Sequence, residues 1–184
     1  EISECDWSSD VCSSDLLCTD WASHTPLAVE AMRAGKHVAV EVPAATSVEE
    51  CWMLVRTAEE TQRHCFMTEN CCYDWFSLAT RSLYNSGFFG TLTHAEGGYL
   101  HDWRKFFADA QTQSYEQGAF QGGNPYPTHG IAPIGQLLRD NDDRIVRLVS
   151  MTGRAMGHES SLGHANSTLI TTEKGVTILL QFDC

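Results

Sequence analysis

The stretch from His24 to Val55, "HTPLAVEAMRAGKHVAVEVPAATSVEECWMLV", decides the fold. His24 to Lys36 reads as a helix: Thr25 can cap it, Pro26 suits the first turn and Gly35 suits the stop. Leu27, Ala28, Ala31 and Met32 are spaced for one apolar face. "HVAVEV", His37 to Val42, is a short β-rich run that ends at Pro43. Ser47 then opens a second helix with a capping box, Ser47-x-x-Glu50. Val48, Cys51, Trp52, Val55 and Ala58 make its apolar face. Short strands alternating with helices predict βαβ units on a parallel sheet.

Working outward, "LLCTDW" (Leu16 to Trp21) reads as the end of a buried strand that precedes the first helix. "HCFMTE" (His64 to Glu69) is the next strand, and "WFSLATRSLYNSG" a third helix that stops near Gly87. The character changes near Gly90. "TLTHAEGGYLHDW" (Thr91 to Trp103) is a longer strand with partial alternation, followed by a polar, Gly-rich stretch from Asp109 to Asn124. "YPTHGIAPIGQLLRD" (Tyr126 to Asp140) is a loop leading into a helix. The tail reads as antiparallel strands with a turn at Glu173-Lys174-Gly175. The expected class is α/β, a parallel sheet followed by a partial α+β domain with a mostly antiparallel sheet.

Glu1 to Leu16 stands apart. It is rich in Ser and Asp, has neither period, and lacks the basic and apolar regions of a secretory signal. Back-translated, Asp6 to Leu16, "DWSSDVCSSDL", matches a common sequencing-library adapter. The expectation is therefore that residues 1–16 are a non-native leader and that the chain is an internal fragment. Without the leader the formal charge falls from −12 to −7. That mild acidity argues against non-specific binding to nucleic acid or to a membrane surface. No apolar run approaches the ~18 residues of a membrane span. Beyond the leader, Cys18, Cys51, Cys65, Cys71, Cys72 and Cys184 form no C-x-x-C pair and no regular framework. A reducing compartment, and so the cytoplasm, is slightly favoured.

Chemistry-bearing residues gather at the ends of the predicted parallel strands, where open α/β sheets bind ligands. Trp21 and His24 follow one strand, Glu41 ends the next, and Glu69-Asn70 end the third. Tyr126 and His129 are three residues apart ahead of a helix, and a His is the usual proton shuttle near neutral pH. Tyr99 and His101 share a strand face, and Gly97-Gly98 permits close approach of a ligand or of backbone. His94 and His101 do not fit H-E-x-x-H, so no metal is expected. His158 and His164 read as surface residues of a Gly/Ser-rich loop. No G-x-G-x-x-G and no G-x-S-x-G is present.

The run "TDWASHTPLAVEAMRAGKHVAVEVPAA" resembles the glucose–fructose oxidoreductase/inositol dehydrogenase (Gfo/Idh/MocA) superfamily. "EVPAA", "EECW", "HCFMTENCCY", "GYLHD" and "YPTHG" together resemble glycoside hydrolase family 109, the NAD-dependent α-N-acetylgalactosaminidases. The resemblance implies that residues 17–89 are the C-terminal part of an NAD-binding Rossmann domain and residues 90–184 a substrate-binding α/β domain, both truncated. Trp21, His24, Glu41, Val42 and Asn70 would line NAD. Tyr99, Tyr126, Pro127, Thr128 and His129 would face a small carbohydrate. It implies hydrolysis by transient oxidation at C3, elimination, water addition and re-reduction. His129 would be the base on the 3-hydroxyl and Tyr99 or Tyr73 the base at C2. The intact parent would be a homo-oligomer, and this fragment alone inactive. Two alternatives remain: an NAD(P)-dependent sugar or polyol dehydrogenase, and a non-catalytic sugar-binding member. Val42 stands where the superfamily usually has Lys, and its alkyl side chain cannot supply the proton transfer that Lys offers in dehydrogenases.

Overall fold

Three short parallel strands make the first sheet of the computed structural model, which describes residues 13–102, 123–124, 126–153 and 165–183. The chain divides into two units, residues 1–68 and 69–184. The expected boundary between residues 89 and 90 thus falls inside the second. In the first unit β1 (Ser14–Leu17), α1 (Trp21–Arg33), β2 (His37–Val40), α2 (Val48–Thr61) and β3 (Cys65–Met67) follow one another, and the strands lie in the order β1-β2-β3. Both pairs are parallel, as the alternation of strand and helix predicts.

β1 ends at Leu17, so "CTDW" is a loop and helix start rather than strand. Ser14, Asp15 and Leu16, within the stretch read as leader, pair with His37, Val38 and Ala39. Asp15 pays for its place there, with Oδ2 buried and lacking a hydrogen-bond partner. α1 starts earlier than Thr25 predicts because Asp20 is the stronger cap. Its carboxylate accepts from the Ser23 N–H at 3.1 Å and from the Ser23 hydroxyl at 2.6 Å. The Ser23 hydroxyl holds the Asp20 carboxyl below its usual range. The helix stops as expected: Ala34 caps it and Gly35 takes φ +87°, a conformation that costs Gly no Cβ clash.

Leu17, Ala28, Val29, Ala31, Met32, Val38, Val40 and Leu54 are the buried core of this unit. Ser47 caps α2 as predicted, accepting from the Glu50 N–H. The Glu50 carboxylate reaches back one residue further than a standard box, to the Thr46 N–H at 2.7 Å. The packed stripe of α2 is not the expected one. Leu54, Thr57 and Ala58 turn inward, whereas Val48, Cys51, Trp52 and Val55 are exposed.

The second unit opens with one 3-10 turn (Asn70–Cys72), then α3 (Trp75–Asn85), β4 (His94–Leu100), α4 (Thr128–Asp140), β5 (Ile145–Thr152), β6 (Asn166–Thr172) and β7 (Thr177–Asp183). The four strands form one sheet in the order β4-β7-β6-β5. β7 is antiparallel to β6, and β6 to β5, while β4 joins β7 in parallel. The sheet is therefore mixed and mostly antiparallel. The β6–β7 turn falls at Glu173-Lys174-Gly175, with Gly175 at φ +88°. Strand alternation buries Thr168 and Ile170 of β6 and Ile178 and Leu180 of β7. Ile134 and Leu138 of α4 pack on that face.

Two glycines set how closely α4 approaches β4. A Cβ on Gly130 would lie 2.5 Å from Leu180 Cδ1 and 2.9 Å from Gly98 N. One on Gly97 would collide with the Gly130 carbonyl. The close approach expected of Gly97-Gly98 is thus to backbone. Arg81 ties α3 to α4 through a two-pronged bond to Asp140, at 2.6 and 2.8 Å. His158, His164 and nearly all of the Asp109–Asn124 stretch lie outside the described residues. No helix among the described residues is long and apolar enough to cross a membrane.

Candidate functional site

Close packing of α4 on β4 brings the second residue of α4, His129, against the far end of β4. The His129 ring lies 5.2 Å from that of Tyr99 and 4.7 Å from that of Tyr126, and Tyr99 and Tyr126 lie 5.2 Å apart. Tyr99 also stacks on His101 at 5.7 Å, as their shared strand face predicts. Together Gly98, Tyr99, His129, Asp74, Ser77 and Pro133 contribute to the wall of a cavity of about 360 Å³ within this unit.

The carboxylate of Glu69 completes the cluster. Its Oε1 accepts from His129 Nδ1 at 2.6 Å and from the Cys71 N–H at 3.0 Å. Glu69 caps the 3-10 turn, and its side chain is 6% exposed, so this hydrogen-bond partner is held in a dry, fixed place. An ionised carboxylate can only accept, so the hydrogen of this imidazole sits on Nδ1 and Nε2 is left as the basic nitrogen. The second carboxylate oxygen, Oε2, is buried without a partner, as is the hydroxyl of Thr128. Burial first, and the Glu69 charge second, push the Cys71 thiol up to about 11. Cys71 is therefore a neutral thiol at physiological pH, not a nucleophile.

Sequence reasoning placed Glu69 at a strand end but did not pair it with His129. The signal that joins them is the capping geometry: an acid two residues before "CC" folds back over its own turn. Tyr73 is placed differently from Tyr99, with 71% of its surface exposed and its backbone N–H donating to the Asn70 carbonyl. Asn70 is exposed on the same turn. Pro127 is the residue that precedes α4, and it offers no side-chain cap.

In the first unit, Trp21 is the first residue of α1 and Glu41 an exposed carboxylate just beyond β2. His24 is wholly buried, with Nδ1 2.7 Å from the Pro43 carbonyl oxygen and Nε2 3.1 Å from that of Thr19. The Thr25 hydroxyl donates to the Ala44 carbonyl at 3.0 Å. His24 and Thr25 thus pin the Pro43–Ala44 loop to α1. Val42 is buried, and its bond to Pro43 is cis.

This edge suits only part of a dinucleotide. The Asp20 carboxylate already occupies the N-terminus of α1, which repels a phosphate from the place where such anions usually bind. Glu41, exposed and acceptor-only, suits hydroxyl or amide donors instead. Donors of that kind are present in the sugar and nicotinamide parts of NAD.

Comparison with known proteins agrees with both units. Residues 9–69 match the oxidoreductase family, NAD-binding Rossmann fold. Residues 73–184 match the glycosyl hydrolase 109 C-terminal domain. A glycosyl hydrolase family 109 protein 2 of Phocaeicola vulgatus is 47% identical over 192 residues, covering 91% of this chain and 46% of its own length. An alpha-N-acetylgalactosaminidase of Bacteroides fragilis is 44% identical, covering 91% of this chain and 45% of its own. The chain therefore spans a little under half the length of these relatives. Among solved structures, an inositol dehydrogenase homolog from Azotobacter vinelandii complexed with NAD+ superposes with a TM-score of 0.77. It is 18% identical and covers 92% of this chain and 45% of that one. That likeness is one of fold. NAD is the cofactor that the N-terminal match carries. With its C-terminal domain matched over residues 73–184, the chain belongs to glycosyl hydrolase family 109.

Proposed function

We propose that the protein is an NAD-dependent glycosidase acting on α-N-acetylgalactosaminides by transient oxidation at C3, elimination, water addition and re-reduction. The observation that carries this reading is the buried Glu69–His129 pair set against Tyr99 and Tyr126. With Nδ1 donating to Glu69, Nε2 is the nitrogen that removes the proton of the 3-hydroxyl. The Glu69 carboxylate holds the tautomer and balances the positive charge that the ring gains. NAD, when bound, supplies the hydride acceptor at C3 and returns the hydride at the end.

A carbonyl at C3 acidifies the C2 proton, and Tyr99, acting as its phenolate, takes that proton and becomes the phenol. Tyr99 is favoured over Tyr73 because its ring lies against His129, whereas Tyr73 faces solvent. The glycosidic oxygen then leaves by elimination, and water adds in its place. This route replaces the paired carboxylates of ordinary glycosidases. Tyr126, Pro127 and Thr128 border the sugar, the Thr128 hydroxyl having a hydrogen bond to offer. Trp21 and Glu41 line NAD in the first unit, and the buried His24 and Val42 support that lining from within.

The test is product balance in the full-length protein. Aglycone release from an aryl α-N-acetylgalactosaminide with no build-up of reduced cofactor supports the reading. Reduced cofactor formed in step with substrate oxidation, with no aglycone, is the result expected of a sugar dehydrogenase. It would overturn the proposal.

A further inference from the structure

The 3-10 turn and the start of α4 bring a third ligating group to the Glu69–His129 pair. A ring nitrogen of His129, a carboxylate oxygen of Glu69 and the Cys71 sulfur all lie within 4.8 Å of one another. We propose that these three side chains form a binding site for a thiophilic divalent cation of the Zn2+ class, and that occupancy shuts off the glycosidase by taking His129 out of use. The inhibitory half rests on the catalytic role given to His129 above. The binding half does not.

Three observations support it. First, the donors suit one class of metal: thiolate, imidazole and carboxylate are the set that Zn2+ takes, and three of them leave one position open for water. Hard cations such as Mg2+ prefer six oxygens and find only one carboxylate here. Second, Glu69 Oε2 is a buried acceptor without a partner, on a side chain that is 6% exposed. Nothing in the hydrogen-bond pattern uses that oxygen, and a cation would. Third, the donors are held in place. Glu69 and Cys71 sit on one turn that the Glu69 carboxylate itself caps, and His129 is fixed by the packing of α4. Tetrahedral Zn2+ with these ligands needs donor atoms ~3.3–3.7 Å apart. The donor atoms, all within 4.8 Å of one another, already lie near that spacing.

The charge balances as well. Binding releases the thiol proton to solvent, and the dication then meets one thiolate, one carboxylate and a neutral imidazole. The resulting cluster has no net charge, which suits a buried place. Coordination through Nδ1 replaces the Glu69–His129 hydrogen bond and leaves the ring hydrogen on Nε2, which can then no longer take the proton of the 3-hydroxyl.

The experiment uses the full-length protein and Co2+ as a spectroscopic stand-in for Zn2+. Expected are a thiolate-to-cobalt absorption band, its displacement by Zn2+ but not by Mg2+, and its loss in Cys71→Ser but not in Cys51→Ser. A band that survives in a folded Cys71→Ser protein, or no band at all in the wild type, would overturn the proposal. A second measurement needs no variant: at an alkaline pH where Cys71 of the metal-free protein is alkylated, Zn2+, and not Mg2+, should protect it, read by peptide mass. Equal alkylation with and without Zn2+ would overturn it too. Loss of the band with aglycone release intact removes the metal site and leaves the glycosidase. Release absent with the band present removes the glycosidase and leaves the metal site.

Discussion

Replacing Gly130 by Ala tests the packing that puts His129 in place. An added Cβ would sit 2.5 Å from Leu180 Cδ1 and 2.9 Å from Gly98 N. Leu180 is 3% exposed and has nowhere to swing, and Gly98 N is backbone. Relief to ordinary van der Waals contact therefore needs α4 to retreat by about 1 Å. Overpacking of this kind costs about 1–3 kcal/mol, offset by up to ~1 kcal/mol of helix propensity gained on losing a glycine. The net expectation is a loss of about 0–2 kcal/mol. The same shift would stretch the 2.6 Å bond from His129 to Glu69 beyond hydrogen-bond range. A displacement of that size can cost about 100-fold in rate.

Gly135 is the internal control. It lies in the same helix, and a Cβ there meets nothing within 4 Å. Gly135→Ala should therefore stabilise by up to ~1 kcal/mol and leave turnover alone. Urea melts and aglycone-release rates on the two variants read both effects. Equal stability and equal rates for Gly130→Ala and Gly135→Ala would refute the idea that close packing of α4 on β4 builds the site.

Three further outcomes follow from the same geometry. Glu69→Gln keeps the shape but removes the charge that steadies His129, a charge-assisted bond of about 1.5–3 kcal/mol, so the rate should fall ~10–150-fold. Turnover at wild-type rates would place the base elsewhere. Tyr99→Phe should cost about 100-fold or more in aglycone release, and Tyr73→Phe far less; the reverse order would move the C2 base to Tyr73. Arg81 first, and Asn85 second, hold the Asp140 carboxyl down to about 2, from an ordinary 3.8. The folded-state value is the lower one. Its contribution to stability is thus complete above about pH 3.8 and is lost as pH falls toward 2. Acid melts of Asp140→Asn should lack that part of the decline, and an unchanged acid profile would show that the α3–α4 tie does not contribute.

Much of the fold was legible because local signals and tertiary structure agree. The Gly87 stop of the helix that begins at Trp75, the Gly35 stop, the Ser47 cap and the Glu173–Gly175 turn each rest on one or two residues whose backbone chemistry leaves little choice. α1 began early because two capping residues, Asp20 and Thr25, competed, and only the folded chain shows that Thr25 is drawn off to Ala44. The packed face of α2 was misjudged for a similar reason. Helical period locates a stripe, but which stripe turns inward depends on neighbours that lie elsewhere in the chain. Of the site, Tyr99, Tyr126 and His129 were found from short spacings and from family resemblance. The Glu69–His129 bond spans 60 residues and leaves no periodic trace.

The central claim is elimination through an acidified C2 position, and running the reaction in heavy water tests it most directly. Removal and return of the C2 proton through Tyr99 and solvent should leave deuterium at C2 of the released N-acetylgalactosamine. Product carrying only hydrogen at C2 would contradict the account.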